Sequence, residues 1–266
     1  MDELTYISLA LYSRFISIPF RGSAAYTNTM TKPTLYLVPK TIGSPIYQIL
    51  IELDLVEVVQ VTKLSFGDIK TEDYLQNINP MGTSPAYVHE NHSIDGSIKI
   101  FESGAILSWI LEEYDTDHAI HPAPRQPGRS SFIFLQQYIV ATVYPFLATL
   151  YLHSLKPKEE QDSTYVNQSK QKFVTLLGPT LESQKIGDGD WMIGGKNPSA
   201  VDYLLAKPLG NADSLGLLDD FPSLKNILKK IQARPSYCEA YGTECKNNSS
   251  NKKGEMRSLI LIPEHM

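Results

Sequence analysis

Cysteine is nearly missing from this chain of 266 residues: there are two, Cys238 and Cys245. Their spacing fits neither a CxxC dithiol nor a zinc knuckle. That excludes a dithiol oxidoreductase, gives no metal-ligand set, and favours a reducing compartment. Positive charge is not in excess either. Lys and Arg total 24 against 29 Asp and Glu, a net charge of −5, and the basic residues are scattered. The footprint of a nucleic-acid binder is therefore absent. Long hydrophobic runs are lacking as well: the apolar stretch from Tyr6 to Phe20 is broken by Arg14 and is too short to span a bilayer. No integral membrane segment is expected, and there are no internal repeats.

What is present is the composition of a soluble globular protein, 42% apolar and 20% charged, with a length that suits two domains. Residues 1–33 read as a loose extension ahead of a second possible start at Met30. A transit peptide is the alternative, argued for by Arg14, Arg21 and several serines and against by Asp2 and Glu3. From Thr34 the run TLYLVP predicts a strand, and PKTIGSP a loop. Ile46, Ile49, Leu50 and Leu53 keep the spacing of a helix whose first turn tolerates Pro45. Val56 to Leu64 predicts a second strand, hence a parallel crossover. FGDIKTEDYLQNINP reads as a polar connection. SPAYVHE and SIKIF around the turn-rich NHSIDG predict an antiparallel hairpin, and Ser103 to Tyr114 a helix.

The order β-α-β then β-β-α predicts a mixed four-stranded sheet with packed helices, a thioredoxin-like domain over 34–118. HAIHPAPRQPGRSS, rich in proline, marks a linker at 119–130. Beyond it the apolar spacing is helical throughout: Phe132 to Leu155 with Pro145 as an expected kink, Tyr165 to Leu181, Val201 to Leu209, and Leu224 to Ile231. An all-α domain is expected over 131–245 and a flexible tail over 246–266. The fold class is thus α/β plus all-α.

Two dipeptides carry the chemistry. Ser84-Pro85 heads a strand, where proline withdraws a ladder donor. A trans bond there would simply start the strand. A cis bond, which X-Pro reaches for about 0.5–1 kcal/mol, would turn the Ser84 amide and carbonyl outward to pair with an extended ligand. Glu102-Ser103 lies where a strand hands over to a helix. Ser103 could serve only as an N-cap; alternatively, helix N–H groups and a hydroxyl accept a carboxylate while the acid takes an ammonium, which suits the zwitterionic end of an amino acid.

N-P-x-G-x-x-P, a hairpin, then E-S-x-A-I, here Asn79, Pro80, Gly82, Pro85, Glu102, Ser103, Ala105 and Ile106, resembles the glutathione-binding signature of glutathione transferases. The long insert between Pro85 and Glu102 is similar to that of fungal members. Ser199-x-x-Asp202 resembles the capping box of the transferase helical domain, and Asp220 to Tyr237 with Arg234-Pro235 the family's late helix. The resemblance spans about Thr34 to Tyr241. It implies a cis Ser84-Pro85 peptide, glutathione held by Thr83, Ser84, Pro85, Glu102 and Ser103, and a structural role for Ser199 and Asp202. It also implies a homodimer built from the sheet domain of one subunit against the helices of the other, and no cofactor beyond glutathione as co-substrate. The expected setting is the cytoplasm, with the mitochondrion or the surface of the endoplasmic reticulum as alternatives.

A transferase needs the glutathione thiolate, and a thiol of pKa near 8.5 is only about 3% ionised at pH 7. A hydroxyl donor at a helix N-terminus stabilises the anion. Thr41, Ser44 and Tyr36 lie near the first strand. Thr41 fits the family's spacing, between Pro39 and an acid, Glu52, eleven residues on; Ser44 and Tyr36 stay open. The family's cysteine-dependent classes have no counterpart in this loop. The hydrophobic electrophile is expected between the domains, against Tyr138, Tyr144 and Tyr151. The reading is conjugation of glutathione to such electrophiles, with a possible peroxidase side activity, or else a noncatalytic binding or regulatory module on the same fold.

Overall fold

The computed structural model describes residues 32–244. The expectations for residues 1–31 and for the tail from 246 lie outside the described residues. Strand β1 (Thr34–Leu37) takes the centre of a sheet ordered β2-β1-β3-β4, with β2 (Gln60–Lys63) parallel to it and β3 (Ala86–His92) antiparallel. β4 (Gly96–Phe101) closes the hairpin with β3. The crossover helix α1 (Gly43–Glu52) lays Ile46, Ile49 and Leu50 on the Leu35 and Leu37 face of β1. Tyr36 and Val38 point the other way, where Ile69 and Tyr74 form a small second cluster. This is period-2 alternation on a sheet covered on both faces.

The second strand is shorter than Val56 to Leu64. The chain leaves α1 through Asp54 in the left-handed region, and Val58 and Val59 both donate to Leu55 O. In that turn Leu55 and Val59 plug the core while Val56 and Val58 face solvent, so their β-branched character does not lead to pairing. The polar connection is not featureless either. A 3-10 turn, Asp68–Lys70, is followed by α2 (Glu72–Asn77), whose N-cap Thr71 accepts from the Tyr74 N–H. Thr followed by Glu72 and Asp73 is a helix-start signal, an N-cap hydroxyl with acids in the first turn, on a helix too short for periodicity to reveal.

Helix α3 (Ser103–Tyr114) covers the same face as α1. After the linker come α4 (Arg129–Tyr138), a π turn (Ile139–Val143) and α5 (Tyr144–Ser154), one continuous rod. Pro145 sits at the second position of α5, directly after that wide turn. The missing proline N–H is thus accommodated by locally wider winding. The device recurs: α6 (Ser163–Lys172), a π turn (Phe173–Leu177), then α7 (Gly178–Ser183) with Pro179 at its second position. The rod is long and apolar enough to cross a membrane by length and composition, yet Phe132, Leu135, Ile139, Val143, Leu147 and Leu150 pack into the protein core.

α8 (Ala200–Ser214) threads the middle of the helical half, followed by α9 (Pro222–Gln232) and α10 (Pro235–Tyr241). Its N-terminus is fixed by Asp202, which is fully buried and accepts from Ser199 N at 2.8 Å, Ser199 Oγ at 2.6 Å and Met192 N at 2.8 Å. Both halves share one apolar core running from Leu35 to Tyr241.

Candidate functional site

Strand register gathers the site at one end of the sheet. Ala86 pairs with Tyr36 on one side and with Phe101 on the other. The residues preceding Ala86, those following Phe101 and those following β1 therefore emerge side by side. They are Ser84-Pro85, Glu102-Ser103 and the loop from Val38 to Ile42.

The Ser84-Pro85 peptide is cis. Ser84 Oγ accepts from the Val38 N–H at 2.8 Å, tying the bend to the end of β1. The preceding loop is shaped by Asn79, a fully buried amide: Nδ2 donates to Thr83 O and Thr83 Oγ1, both at 3.0 Å, and Oδ1 accepts from Met81 N at 3.0 Å. Tyr74 Oη and Lys70 Nζ donate to the neighbouring carbonyls of Thr83 and Gly82, each at 2.7 Å. Thr83 is exposed, with its carbonyl already paired.

Glu102 is the N-cap of α3 at φ 84°, ψ 116°, and no side chain caps this helix. Ser103 does not serve as the N-cap; it is the first helical residue, almost buried. The first helical acceptor is Glu102 O, taking Ile106 N. The N–H groups of Ser103, Gly104 and Ala105 thus precede the intrahelical ladder and aim their partial positive charge at the junction. A non-glycine residue held at positive φ is costly, and such residues concentrate where a site fixes a side chain. Here the residue is Glu102, whose carboxylate is exposed at the mouth of the helix. Gln136 of α4 donates to Gly104 O at 3.0 Å and Ser108 Oγ at 2.6 Å, docking this corner onto the helical half.

The third loop separates the three candidate hydroxyls. Ser44 is fully buried and its Oγ accepts from the Lys40 N–H at 2.9 Å, so it closes the turn in which Lys40 takes φ 64°. Tyr36 lies on the far face of the sheet. Thr41 is half-buried at the mouth of α1; its Oγ1 donates to Val38 O at 2.7 Å and accepts from Gly43 N at 3.3 Å. Gly43 is needed for the close approach, because a Cβ there would stand 2.9 Å from Leu37 Cβ and 3.4 Å from Pro85 Cβ.

Of the aromatic residues expected as a wall, Tyr144 reaches this loop. Burial raises the pKa of its phenol, and the Ile42 N–H bonded to it offsets part of that. Tyr138 instead stacks on the exposed Phe134 with ring centroids 5.2 Å apart. Behind Tyr144, the hydroxyl of Tyr241 is buried without a hydrogen-bond partner among the described residues, its ring stacked on Tyr237. Burial, then the nearby Tyr237 and Tyr144, push its pKa well up.

The far end of α1 is locked separately. Arg234 forms a fork on Glu52, Nε to Oε1 at 2.7 Å and a second bond from NH2 to Oε2 at 2.5 Å; Ser236 Oγ also donates to Glu52. Burial raises the Glu52 pKa, but Arg234 and Ser236, together with Tyr203, outweigh it, so the net shift is downward. In the sequence Glu52 stands out only by its spacing from Thr41 and Arg234 only as part of Arg-Pro, so neither signals this pairing. Among the described residues no group of three His, Cys, Asp or Glu side chains stands where it could hold a metal ion.

The profile of the family "Glutathione S-transferase, C-terminal domain" matches residues 142–239. Among curated proteins, the glutathione S-transferase-like protein tpcF of Aspergillus fumigatus is 28% identical over 198 residues, covering 70% of this chain and 84% of that protein. The glutathione S-transferase-like protein gedE of Aspergillus terreus is 28% identical over 184 residues, 64% of this chain and 78% of that one. Among solved structures, a glutathione transferase family member from Pseudomonas fluorescens with two glutathione bound aligns with a TM-score of 0.67 at 21% identity, covering 79% of this chain and 92% of that one. A glutathione transferase from Phanerochaete chrysosporium with oxidized glutathione aligns at 0.62 and 21% identity, over 79% and 94% of the two chains. The likeness to the solved structures is one of fold.

Proposed function

We propose that this chain, which belongs to the glutathione transferase superfamily, binds glutathione at the junction of Ser84-Pro85, Glu102-Ser103 and Thr41 and transfers its sulfur to a hydrophobic electrophile. The observation that carries this reading is the double pairing of Ala86, which puts the cis Ser84-Pro85 peptide beside an uncapped helix N-terminus with an acid at its mouth. The γ-glutamyl carboxylate would take the N–H groups at the start of α3 and the Ser103 hydroxyl, and its ammonium Glu102. The cysteinyl backbone would pair with Ser84 as a one-residue added strand. Solved proteins of the same fold hold glutathione or oxidized glutathione, which supports that choice of ligand.

In the transfer, the sulfur lone pair forms a C–S bond to the electrophilic carbon. The displaced electron pair leaves with a halide, or moves onto a conjugated oxygen that then takes a proton from solvent. The thiol proton is lost to solvent before attack, and Thr41 acts by stabilising the anion: its Oγ–H turns from Val38 O to the thiolate, with the N-terminal dipole of α1 behind it. Thr41 is chosen because Ser44 is sealed in and Tyr36 faces away. Reduction of organic hydroperoxides would be a side activity: the same thiolate attacks the terminal oxygen, the O–O bond breaks and the alcohol leaves, and a second glutathione converts the resulting sulfenic acid to the disulfide with release of water. A homodimer is supported by large apolar side chains exposed on both halves, Phe66 and Met81 on one and Ile133 and Phe134 on the other.

A second reading, a binding or regulatory module that holds glutathione without turning it over, is favoured by one feature: the Thr41 proton is already engaged by Val38 O. Conjugation of glutathione to 1-chloro-2,4-dinitrobenzene distinguishes the two. Turnover by the wild type that falls in Thr41→Ala supports the enzyme; glutathione binding with no turnover by the wild type supports the module.

A further inference from the structure

Lys207, on α8, is a half-buried ammonium with only neutral partners. Its Nζ donates to Asn211 Oδ1 at 2.7 Å and stands 5.5 Å from the centroid of the Tyr151 ring. Among the described residues no carboxylate lies within ion-pair distance of it. By contrast Lys225 meets Asp213 and Asp219, Lys230 meets Asp190, and Arg234 meets Glu52. Removing an ammonium from water is costly unless opposite charge repays it. An amide oxygen and an aromatic face repay only part, and burial lowers the lysine's pKa. The charge is therefore held ready for an anion that the described residues do not supply.

Its location identifies which anion. Tyr144 and Tyr151 are seven residues apart on α5 and so lie on one face, about 10 Å apart along the axis. Tyr144 reaches the Ile42 N–H, next to Thr41, and Tyr151 carries Lys207 on its ring. Two aromatic rings thus run from the place of the sulfur to a lone cation.

We propose that Lys207 anchors the far end of the electrophile, so that the second substrate is a planar conjugated or aromatic molecule bearing a carboxylate at the end remote from the carbon attacked. This rests on the transfer reading above and narrows its substrate class from hydrophobic electrophiles in general to acidic ones.

The test uses a matched pair, an aryl ketone with a para oxyacetic acid and its methyl ester. The saturated forms of the pair cannot react and are titrated by calorimetry into the glutathione-saturated full-length protein; the vinyl ketones are then assayed for conjugation. Wild type is expected to bind the saturated acid about tenfold more tightly than the ester, a difference of about 1.4 kcal/mol. Lys207→Met should bring that ratio close to one, and Lys207→Arg should retain most of it. Because the ratio is internal to each variant, partial loss of folded protein does not distort it; Lys207→Gln replaces the methionine variant if that does not fold. A wild-type ratio of one or less, or a ratio unchanged in Lys207→Met, overturns the proposal. The titration is independent of turnover, so acid preference without conjugation of either vinyl ketone would count against the transfer reading and leave the Lys207 subsite standing.

Discussion

Three hydroxyls within nine residues of sequence meet three different fates, and the differences are set by burial and by which partner each one already has. Ser44 closes the turn under Lys40, Tyr36 belongs to the back of the sheet, and Thr41 alone stands at the mouth of α1. Thr41→Ala is expected to lower the turnover number for 1-chloro-2,4-dinitrobenzene by about tenfold or more, the scale of one lost transition-state donor, while the glutathione Kd changes less than about twofold. Ser44→Ala is expected to spare the rate per folded molecule and to lower stability by about 1 kcal/mol, because the turn loses the hydrogen bond from the Lys40 N–H to the Ser44 hydroxyl; a urea melt reads this as a fall in midpoint at constant slope. An unaffected rate in Thr41→Ala would return the role of the hydroxyl to Ser44.

At the scale of elements, α10 is tied to α1 by charge as well as by apolar packing. Glu52 has a folded pKa below its ordinary value, so the pairing contributes stability that is fully present above the usual carboxylate range and is lost as pH falls through the lowered value. Arg234→Met is accordingly expected to cost about 2–3 kcal/mol at neutral pH, with the gap to wild type narrowing on acidification as Glu52 takes up its proton. Melts at a series of pH values follow this directly, and a gap independent of pH would show that Arg234 acts through packing alone. Elements with a strong local period were legible in sequence: the hairpin around Asp95-Gly96 and the helix Ser103–Tyr114 form where their patterns put them. Val56 and Val58 misled because β-propensity measures fit to a paired surface, and the turn at Asp54 leaves them none. In the site, Asn79, Pro85 and Glu102 were visible as spaced motifs. Contacts between halves, such as Tyr144 with the Ile42 N–H and Arg234 with Glu52 across 182 residues, have no local signal, because nothing in either segment specifies its partner.

For the whole molecule, the proposed function divides the work between the two halves: the sheet end would fix the tripeptide, and side chains of α5 and α8 would receive the second substrate. The exposed Ile133 and Phe134 on α4 give the proposed dimer a direct test. Light scattering should return twice the chain mass for wild type and the chain mass for an Ile133→Glu, Phe134→Glu variant; a monomeric wild type would remove the dimer from the account. The central claim, that the end of the sheet is a glutathione site, is tested most directly by calorimetric titration of glutathione into wild type and Glu102→Gln. The expected result is saturable one-site binding by wild type, weakened about tenfold in Glu102→Gln as the charged partner of the γ-glutamyl ammonium is lost. Absence of binding to folded wild type, or equal affinity in the two proteins, would contradict it.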